Sequence, residues 1–468
     1  MSRAVSALPP GPKRLPLIGS LPAVSRDPIA FMLELGRNYG EVSHTTIGPT
    51  SLYMINDPAL IEEVLLGRHR ECVKDWGAQQ LVPLVGRGLL TSEGDFWKRQ
   101  RKLASPPLAP KRIAGYADTM VACAERECGA FRQDEVRDIH ADMMRLTLEI
   151  VGKTLLGFDT GREAERISEI VHVAMDYFDK QFWTWHGILP QWIVTKERRA
   201  FRAGVRELDR IMYAIIARSR ARGDAADDLL ARLAHARDDA GAPMSDQQLR
   251  DEAITMLLAG HETTALVLSY AVYLLSQNPA VAATARAEVD AVLGSRPATA
   301  ADLPQLKQVD AVVRETLRLY PPAFALGREV AVPFELGGYA MPKGAQLNFS
   351  PYVVQRDPRF FPEPERFSPE RWLTPREPAL PKFAYFPFGG GPRVCIGNHF
   401  AMMEATLVLA TLLQQLELTI VPGYQLQLAP SVTLRPAGPI PVLVRRRRPA
   451  PLPRKSPWSL RAPTIADA

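Results

Sequence analysis

Residues 388–397 read FGGGPRVCIG, and the residue types of this segment point more directly to a ligand than any other part of the chain. Three successive glycines permit positive φ and a close approach of the backbone to a flat molecule. Cys395 lies just before an apolar run that predicts a helix over residues 398–415, and a helix N-terminus lowers the pKa of a thiol. The segment therefore predicts a thiolate metal ligand, with a structural cysteine after a glycine-rich turn as the alternative.

The chain as a whole has the composition of a large globular protein. Of its 468 residues, 46% are hydrophobic and 23% are charged, a balance that excludes disordered, collagen-like and coiled-coil classes. Four cysteines are too few for a secreted disulfide scaffold of this length. No apolar run reaches the about 18 to 20 residues of a membrane span, and the N-terminus has no signal-peptide core. We expect a cytoplasmic protein without a transmembrane anchor.

The net charge of +6 is concentrated at the C-terminus. Residues 445–468 contain seven Lys and Arg residues and one Asp, so residues 1–444 are formally neutral. A neutral body with a basic, proline-broken end argues against a nucleic-acid partner. We divide the chain into a proline-rich lead-in over residues 1–20, one domain over residues 21–444 and a flexible basic tail over residues 445–468.

Apolar residues recur at three- and four-residue intervals through the middle of the chain, where proline is scarce. This periodicity predicts amphipathic helices over residues 114–131, 138–155, 167–182 and 197–222, and a buried helix that begins near Asp246. Short strands are predicted over residues 41–46, 51–55, 329–332, 346–349 and 416–420. The pattern is mainly helical with a small strand-rich region.

The predicted buried helix contains the hexapeptide AGHETT at residues 259–264. Gly260 is unfavourable in a helix interior and Glu262 is costly to bury, whereas Thr263 can donate to a carbonyl one turn earlier. Such residues in an apolar helix indicate a functional site. A solvent-facing polar stripe is the alternative interpretation.

The glycine-rich segment resembles the haem-binding loop of the cytochrome P450 family, which it matches at Phe388, Gly391, Arg393, Cys395 and Gly397. The resemblance implies that Cys395 is the proximal thiolate ligand of haem b (iron protoporphyrin IX) and that Arg393 pairs with a haem propionate. It also implies the mainly α P450 fold with a small β lobe, in which haem lies between a central helix and the cysteine loop.

A second motif is similar to the Glu-x-x-Arg helix of the same family. Glu315 and Arg318 are one helical turn apart, a spacing that on its own indicates only an ordinary ion pair. By the resemblance they belong to a buried charge network whose third member is Arg366, in the segment 364–367. We interpret these three residues as structural, because removing one partner of a buried ion pair leaves a charge unpaired.

Three further sets of residues resemble functional positions of the family. Glu262 and Thr263 match the acid and threonine that direct protons to dioxygen. Trp97 and Arg101, four residues apart, match a helix whose side chains bind haem propionates, although a helix-surface tryptophan with basic neighbours is the alternative. Arg328 matches a further propionate-binding arginine, on residue type alone.

The resemblance implies a haem-thiolate monooxygenase that inserts one oxygen atom of O2 into an apolar small molecule such as a fatty acid or a terpenoid. Apolar residues at 76–90, 175–193 and 323–326 would line the substrate pocket. Electrons would come from a separate ferredoxin or flavodoxin with its reductase, docked on basic residues such as Arg393, Lys98 and Arg99. A haem-thiolate isomerase or dehydratase and a non-catalytic haem sensor are the alternatives, and neither would need Glu262 and Thr263.

Overall fold

The apolar periodicity in the middle of the chain produces long helices at nearly the predicted bounds. The computed structural model describes residues 8–157, 162–183, 193, 195–222, 228–375 and 379–447. Its α-helices are α1 (Leu21–Arg26), α2 (Pro28–Asn38), α3 (Pro58–Glu62), α4 (Trp76–Gln80), α5 (Val82–Val85), α6 (Gly94–Ala104), α7 (Pro110–Ile113), α8 (Ala117–Ala130), α9 (Ile139–Thr154), α10 (Arg162–Trp183), α11 (Lys196–Arg222), α12 (Leu229–His235), α13 (Asp246–Gln277), α14 (Pro279–Leu293), α15 (Lys307–Leu319), α16 (Pro351–Val354) and α17 (Asn398–Gln415).

The strands are short and gather into one larger and several smaller sheets. They are β1 (Val42–Ile47), β2 (Thr50–Ile55), β3 (Cys72–Val73), β4 (Val136–Asp138), β5 (Leu326–Val330), β6 (Phe334–Leu336), β7 (Tyr339–Met341), β8 (Gln346–Phe349), β9 (Leu416–Ile420), β10 (Leu428–Pro430), β11 (Leu434–Pro436) and β12 (Pro441–Arg446). The five-stranded sheet has the order β1-β2-β8-β5-β3, with β2 and β8 parallel and the other pairs antiparallel. The mainly helical fold with a small β region is confirmed.

Helix α13 is the centre of the helical part. It begins with a capping box, in which the Ser245 hydroxyl accepts from the Gln248 N–H at 3.2 Å and the Gln248 side chain accepts from the Ser245 N–H at 2.8 Å. It ends before Pro279, which opens α14. Helices α9, α11, α15 and α17 pack around α13, so apolar side chains are buried on nearly all of its faces.

Several boundaries differ from the prediction. Helix α10 begins at Arg162, five residues before its predicted start, and α8 begins at Ala117 after a 3-10 turn over Ala114–Tyr116. Strand β5 forms over Leu326–Val330 and not over residues 329–332, because Gly327 and Arg328 pair with β8 while Val330 pairs with Cys72. Strand β12 extends through Arg446, inside the segment assigned to the tail, and pairs there with β9. Residues 448–468 of the predicted tail and residues 1–7 of the predicted lead-in lie outside the described residues.

Among the described residues, no single helix has both the length and the apolar composition of a membrane span. Helices α13 and α14 meet those two criteria only when they are taken together, and the chain bends by 115° between them.

Candidate active site

The segment 388–397 forms a tight loop that leads directly into α17. Gly389 and Gly391 both have φ of +68°, and a Cβ atom on Gly391 would lie 2.1 Å from the Leu65 carbonyl oxygen. Only glycine fits these positions without strain. The Cys395 N–H donates to the Phe388 carbonyl at 2.9 Å, so the loop closes on itself before the helix begins at Asn398.

Cys395 differs from the other three cysteines in being accessible to solvent. Its thiol is nevertheless closely surrounded by protein atoms. Burial raises the pKa of the Cys395 thiol, and this effect exceeds the opposing hydrogen bond from Gly397 and the charge of Arg101. The Gly397 N–H at the helix N-terminus lowers the pKa of the thiol in the expected direction, but desolvation is the larger effect on the free thiol. Coordination to a metal cation is what would deprotonate the thiol.

Helix α6 places Trp97 and Arg101 next to the cysteine loop, as their spacing predicts. The Arg101 Nη1 donates to the Val394 carbonyl at 2.9 Å. The guanidinium of Arg393 lies 3.9 Å from the centre of the Trp97 ring, donates to the Ser92 carbonyl at 2.8 Å and forms an ion pair with Glu93. The structure thus brings Trp97, Arg101 and Arg393 together at one side of Cys395.

Arg328 and Lys74 complete a group of cations in this region. Burial lowers the pKa of Arg328, and it lowers the pKa of Arg393 to about 10. Burial together with the charges of Arg328 and Arg393 lowers the pKa of Lys74 to about 7. So many mutually repelling cations, only partly compensated by Asp75 and Glu93, form a site that favours an additional anion.

Lys74 is a residue that the sequence analysis missed. It follows β3 in the segment ECVKD, and nothing in the local sequence distinguishes it from an ordinary surface lysine. Its position beside Arg328 depends on the pairing of β3 with β5, which are more than 250 residues apart in the chain. Only the tertiary structure could place it in the cation group.

One side of the otherwise buried helix α13 is open. Ala259 is exposed and Thr263, four residues later and therefore on the same face, is partly exposed. The Thr263 hydroxyl donates to the Ala259 carbonyl at 2.5 Å. Because the surrounding turns of α13 are buried, these two residues form an accessible face of the helix, and the Thr263 hydroxyl oxygen can accept a hydrogen bond from a molecule bound there.

Glu262 lies on a different side of α13 from Thr263. Its Oε1 atom accepts from the Thr433 hydroxyl at 2.7 Å and forms an ion pair with Arg435 of β11. Burial raises the pKa of Glu262, but Arg435 and Thr433 outweigh that effect and hold it below its usual value. The structure therefore does not bring Glu262 and Thr263 together on one face, because adjacent helical residues point about 100° apart.

The other polar residues of the hexapeptide serve helix packing. A Cβ atom on Gly260 would lie 3.2 Å from the Val151 side chain, so the glycine lets α9 approach α13 closely. The His261 Nε2 lies 2.9 Å from the Met144 carbonyl, and burial lowers the pKa of His261 to about 4. The close contact between α9 and α13 thus explains the glycine at position 260. The low helix propensity of glycine did not by itself indicate this packing role.

Two further buried acids on or beside α13 were not singled out from the sequence. Glu404 of α17 is fully buried near Thr264, and burial raises its pKa well above the usual value. Glu252 accepts from the Leu89 N–H at 3.1 Å and from Gln100 at 3.3 Å, and burial raises its pKa to about 7. Glu252 therefore ties the segment that follows α5, part of the predicted substrate-pocket lining, to the central helix.

The Glu-x-x-Arg motif forms the predicted buried network, but with a different third member. Glu315 and Arg318 are both fully buried and pair at 2.8 Å. The third cation is Arg371, whose Nε lies 3.0 Å from the Glu315 Oε1 atom. The assignment of Arg366 was wrong, since its guanidinium is exposed beside Glu363 and only its backbone carbonyl accepts from Arg318, at 3.0 Å.

The sequence did contain a signal for Arg371. The tripeptide Pro-Glu-Arg occurs twice, at residues 364–366 and 369–371, and the second copy precedes Trp372. The Trp372 Nε1 donates to the Glu315 Oε2 at 2.8 Å, so the indole and the guanidinium reach the same carboxylate. The segment 369–372 forms a 3-10 turn that points both side chains toward α15.

Comparison with known proteins agrees with this geometry. The family model described as Cytochrome P450 matches residues 9–443. The chain belongs to the cytochrome P450 family. It is 35% identical to a protein named cyclooctatin synthase from Streptomyces melanosporofaciens, over 93% of this chain and 95% of that protein. It is 32% identical to pentalenene oxygenase from Streptomyces avermitilis, over 88% of this chain and 91% of that protein.

A solved structure supports the same conclusion. The crystal structure of the cytochrome P450DA haem domain superimposes with a TM-score of 0.86 at 27% identity, covering 95% of this chain and 98% of that one. The P450 fold, the haem cofactor and the monooxygenase class are thereby confirmed. The protein is a cytochrome P450 monooxygenase.

The residues present fit haem. They include a solvent-accessible thiol, an accessible Ala259 and Thr263 face on the central helix, and a cation group that could pair with two propionates. The Trp97 Nε1 and the Lys74 Nζ donate no hydrogen bond to any described residue, and the described donor bond of Arg328 reaches only the carbonyl of its neighbour Gly327. These groups can therefore donate to a carboxylate without breaking an existing contact.

Proposed function

We propose that this P450 oxygenates a terpenoid-like hydrocarbon skeleton, with Cys395 as the residue that would hold the haem iron and Thr263 as a hydroxyl that would pass protons. The observation that carries the assignment of the site is that an otherwise buried central helix leaves Ala259 and Thr263 accessible, and that one cysteine, Cys395, is accessible as well. The names of the relatives carry the choice of substrate class, since cyclooctatin synthase and pentalenene oxygenase match over most of this chain.

The chain would hold haem in two ways: the Cys395 thiol would bind the iron, and cationic side chains would pair with the haem propionates. Haem bound through Cys395 supplies the activation of O2. Arg393 belongs to the cysteine loop and Arg101 donates to that loop, while Arg328, Lys74 and Trp97 add donors that no carboxylate of the described residues occupies. Glu93 now pairs with Arg393, so a propionate would share that guanidinium with Glu93.

Thr263 is suited to pass a proton because its hydroxyl donates to the Ala259 carbonyl and can accept from a molecule bound at the accessible face of α13. Glu262 would supply the proton only after its carboxylate leaves Arg435 and turns toward that face, because an ion-paired carboxylate of lowered pKa is a poor acid. Release of the Glu262 carboxylate from Arg435 would therefore determine when Glu262 can supply a proton.

The electron donor would be a separate ferredoxin or flavodoxin that approaches the side of the cysteine loop covered by α6. Arg393 cannot be a docking residue as expected, because its side chain turns inward to Ser92 and Glu93 and is only 13% exposed. Lys98 and Lys102 of α6 are 65% and 68% exposed, and each pairs at 2.7 Å with an exposed acid, Asp95 or Asp239, that an acidic partner would displace. An acidic partner surface would complement the two lysines.

The iron-ligand assignment is tested by the reduced carbon monoxide difference spectrum of haem-loaded protein. We expect a red-shifted thiolate band in the wild type and its loss in Cys395→Ala. Cys72→Ala is the matched control, because Cys72 is a buried cysteine of β3, and its spectrum should equal that of the wild type. A wild-type protein with full haem content and no such band would contradict the assignment.

The substrate class is tested separately by optical titration of the same holoenzyme. A polycyclic terpene hydrocarbon is expected to shift the haem spin state at lower concentration than a saturated fatty acid. Product formation should require NAD(P)H and a reductase system. Product formed without electrons would favour an isomerase or dehydratase, and spectral binding without any product under full reduction would favour a haem sensor.

A further inference from the structure

The N-terminal segment has an unusual concentration of exposed apolar side chains. Eleven large hydrophobic side chains are exposed among the described residues, and four of them lie within residues 8–18. Leu8, Leu15, Leu17 and Ile18 are 57%, 53%, 94% and 43% exposed. Such clustering on a folded surface marks a contact site more often than chance placement does.

These side chains are held outward by a well-ordered turn, which we call the leucine turn (Leu15–Gly19). The Gly19 N–H donates to the Leu15 carbonyl at 2.9 Å, and the Ile18 N–H donates to the Pro16 carbonyl at 2.8 Å. Gly19 is buried against Thr46 of β1, whose carbonyl oxygen would lie 2.1 Å from a Cβ atom on the glycine. The turn is therefore anchored to the sheet.

Leu17 adopts φ of +66° at the tip of the turn. This left-handed conformation is unfavourable for a leucine, which has neither the freedom of glycine nor the local hydrogen bonds of asparagine. Because the Leu17 side chain is 94% exposed, its contacts within the described part of the chain do not offset the strain of its backbone. A partner that takes up the side chain would compensate for the strain.

The charges around the leucine turn identify the partner. Between Leu8 and Arg26 there are three cations, Lys13, Arg14 and Arg26, and the first acidic residue of the whole chain is Asp27. All three cations are exposed. Apolar side chains flanked by cations, without acids, are complementary to the headgroups and outer acyl region of an anionic lipid bilayer.

We propose that the leucine turn binds the surface of anionic membranes, with Leu15, Leu17 and Ile18 inserted at the headgroup level and Lys13 and Arg14 against the lipid phosphates. This contact is peripheral and involves no helix that crosses the bilayer. It does not depend on the proposed substrate, although a terpenoid that dissolves in membranes would be concentrated at the same surface.

The test is cosedimentation of the full-length holoenzyme with vesicles of phosphatidylcholine alone and of phosphatidylcholine mixed with phosphatidylglycerol. We expect binding to the mixed vesicles and weaker binding to the neutral ones. Leu17→Asn should lower the partition coefficient about tenfold, because it removes the most exposed apolar side chain while asparagine tolerates the left-handed backbone. Lys13→Glu should reduce binding to the mixed vesicles by about fivefold or more and leave binding to neutral vesicles nearly unchanged.

Val136→Asn is the matched control. Val136 is 61% exposed on β4, in a different sheet, so this variant should bind vesicles like the wild type. The basic C-terminal segment is present in every variant, so differences between them report on the leucine turn. Equal vesicle binding by Leu17→Asn and the wild type would overturn the proposal, and so would a wild-type protein that binds neither type of vesicle. Concentration-dependent dimers that disappear in Leu17→Asn, without vesicle binding, would assign the turn to a contact between two copies of the chain.

Discussion

At the scale of single residues, Glu262 illustrates how a buried carboxylate is kept charged. It is 3% exposed, and both of its described partners, Arg435 and Thr433, come from the region of the β10 and β11 hairpin. The charge of His261 contributes to the lowered pKa of Glu262. The charge of Glu262 in turn contributes to the raised pKa of Asp179. The charge of Arg435 is the largest of the favourable effects on Glu262, so the carboxylate depends on a cation from another element.

Replacing Arg435 by glutamine should therefore destabilise the protein at neutral pH. The Arg435→Gln variant leaves the Glu262 carboxylate buried without its cation, at a cost of about 3 to 5 kcal/mol. Thermal unfolding of the holoenzyme measures the loss as a lower Tm. Arg435→Lys retains the charge and should lose much less.

The pH dependence gives an independent check on the same pair. The pKa of Glu262 is lowered in the wild type, so the ion pair stabilises the fold above the ordinary carboxyl pKa and this contribution is lost as the pH falls. In Arg435→Gln the uncompensated carboxylate should prefer its proton, so the difference in Tm from wild type should shrink on acidification. The double variant with Glu262→Gln should be more stable at neutral pH than Arg435→Gln alone, and a double variant that is less stable would show that the two residues are not energetically coupled.

At the scale of elements, the Glu315 network fastens α15 to the 3-10 turn at Pro369–Trp372. Glu315 accepts from Arg318, from Arg371, from the Trp372 indole and from the Ser368 N–H, all between 2.8 and 3.0 Å. Both of its oxygens are therefore satisfied, which is what makes a fully buried carboxylate tolerable. The turn follows β8 and α16 and precedes the cysteine loop, so this contact also fixes the path of the chain toward Cys395.

Two arginines five residues apart should therefore behave differently on removal. Arg371→Ala takes away a cation that is 12% exposed and leaves Glu315 undercompensated, and we expect a loss of about 3 to 5 kcal/mol together with reduced haem retention. Arg366→Ala removes a side chain that is 59% exposed, and we expect a change within about 0.5 kcal/mol. Tm and haem content of the two purified variants measure the contrast. Similar losses in both would contradict the assignment of the third network member.

At the scale of the whole molecule, α6 links the protein surface to the cysteine loop. Its inner face carries Arg101, which contacts the cysteine loop, and its outer face carries Lys98 and Lys102. A groove of about 800 Å³ lies beside it, between α6 and residues 236–240. Asp239 in that segment pairs with Lys102 at 2.7 Å, so one cation of the proposed docking face is already paired within the chain.

Electron transfer from an acidic ferredoxin should therefore depend on ionic strength and on this pair. The rate of reduction should fall as salt rises, because contacts between exposed charges are screened. Lys102→Glu should slow reduction at low salt by about tenfold, and Asp239→Asn should accelerate it, since the competing acid is removed. Each rate is measured by stopped flow under carbon monoxide, as formation of the carbon monoxide complex that follows reduction. A rate independent of salt in all three proteins would exclude this face as the docking surface.

The local sequence determined the elements and the identity of the central residues. Helix α17 begins and ends at the predicted bounds, and β8 and β9 match their predicted ranges, because apolar periodicity and capping are properties of neighbouring residues. The positions of Cys395 and Thr263 follow from motifs contained in ten residues or fewer. The P450 fold could be predicted because several such motifs occur together.

The tertiary structure decided every question that depends on contacts between distant segments. It chose Arg371 over Arg366 for the Glu315 network, turned Glu262 toward Arg435, directed Arg393 inward and placed Lys74 beside Arg328. The sequence could not rank these alternatives, because identical residue types at similar spacing differ only in which partner the fold brings within hydrogen-bond distance. The same applies to the thiol of the cysteine loop, whose pKa is set more by burial than by the adjacent helix.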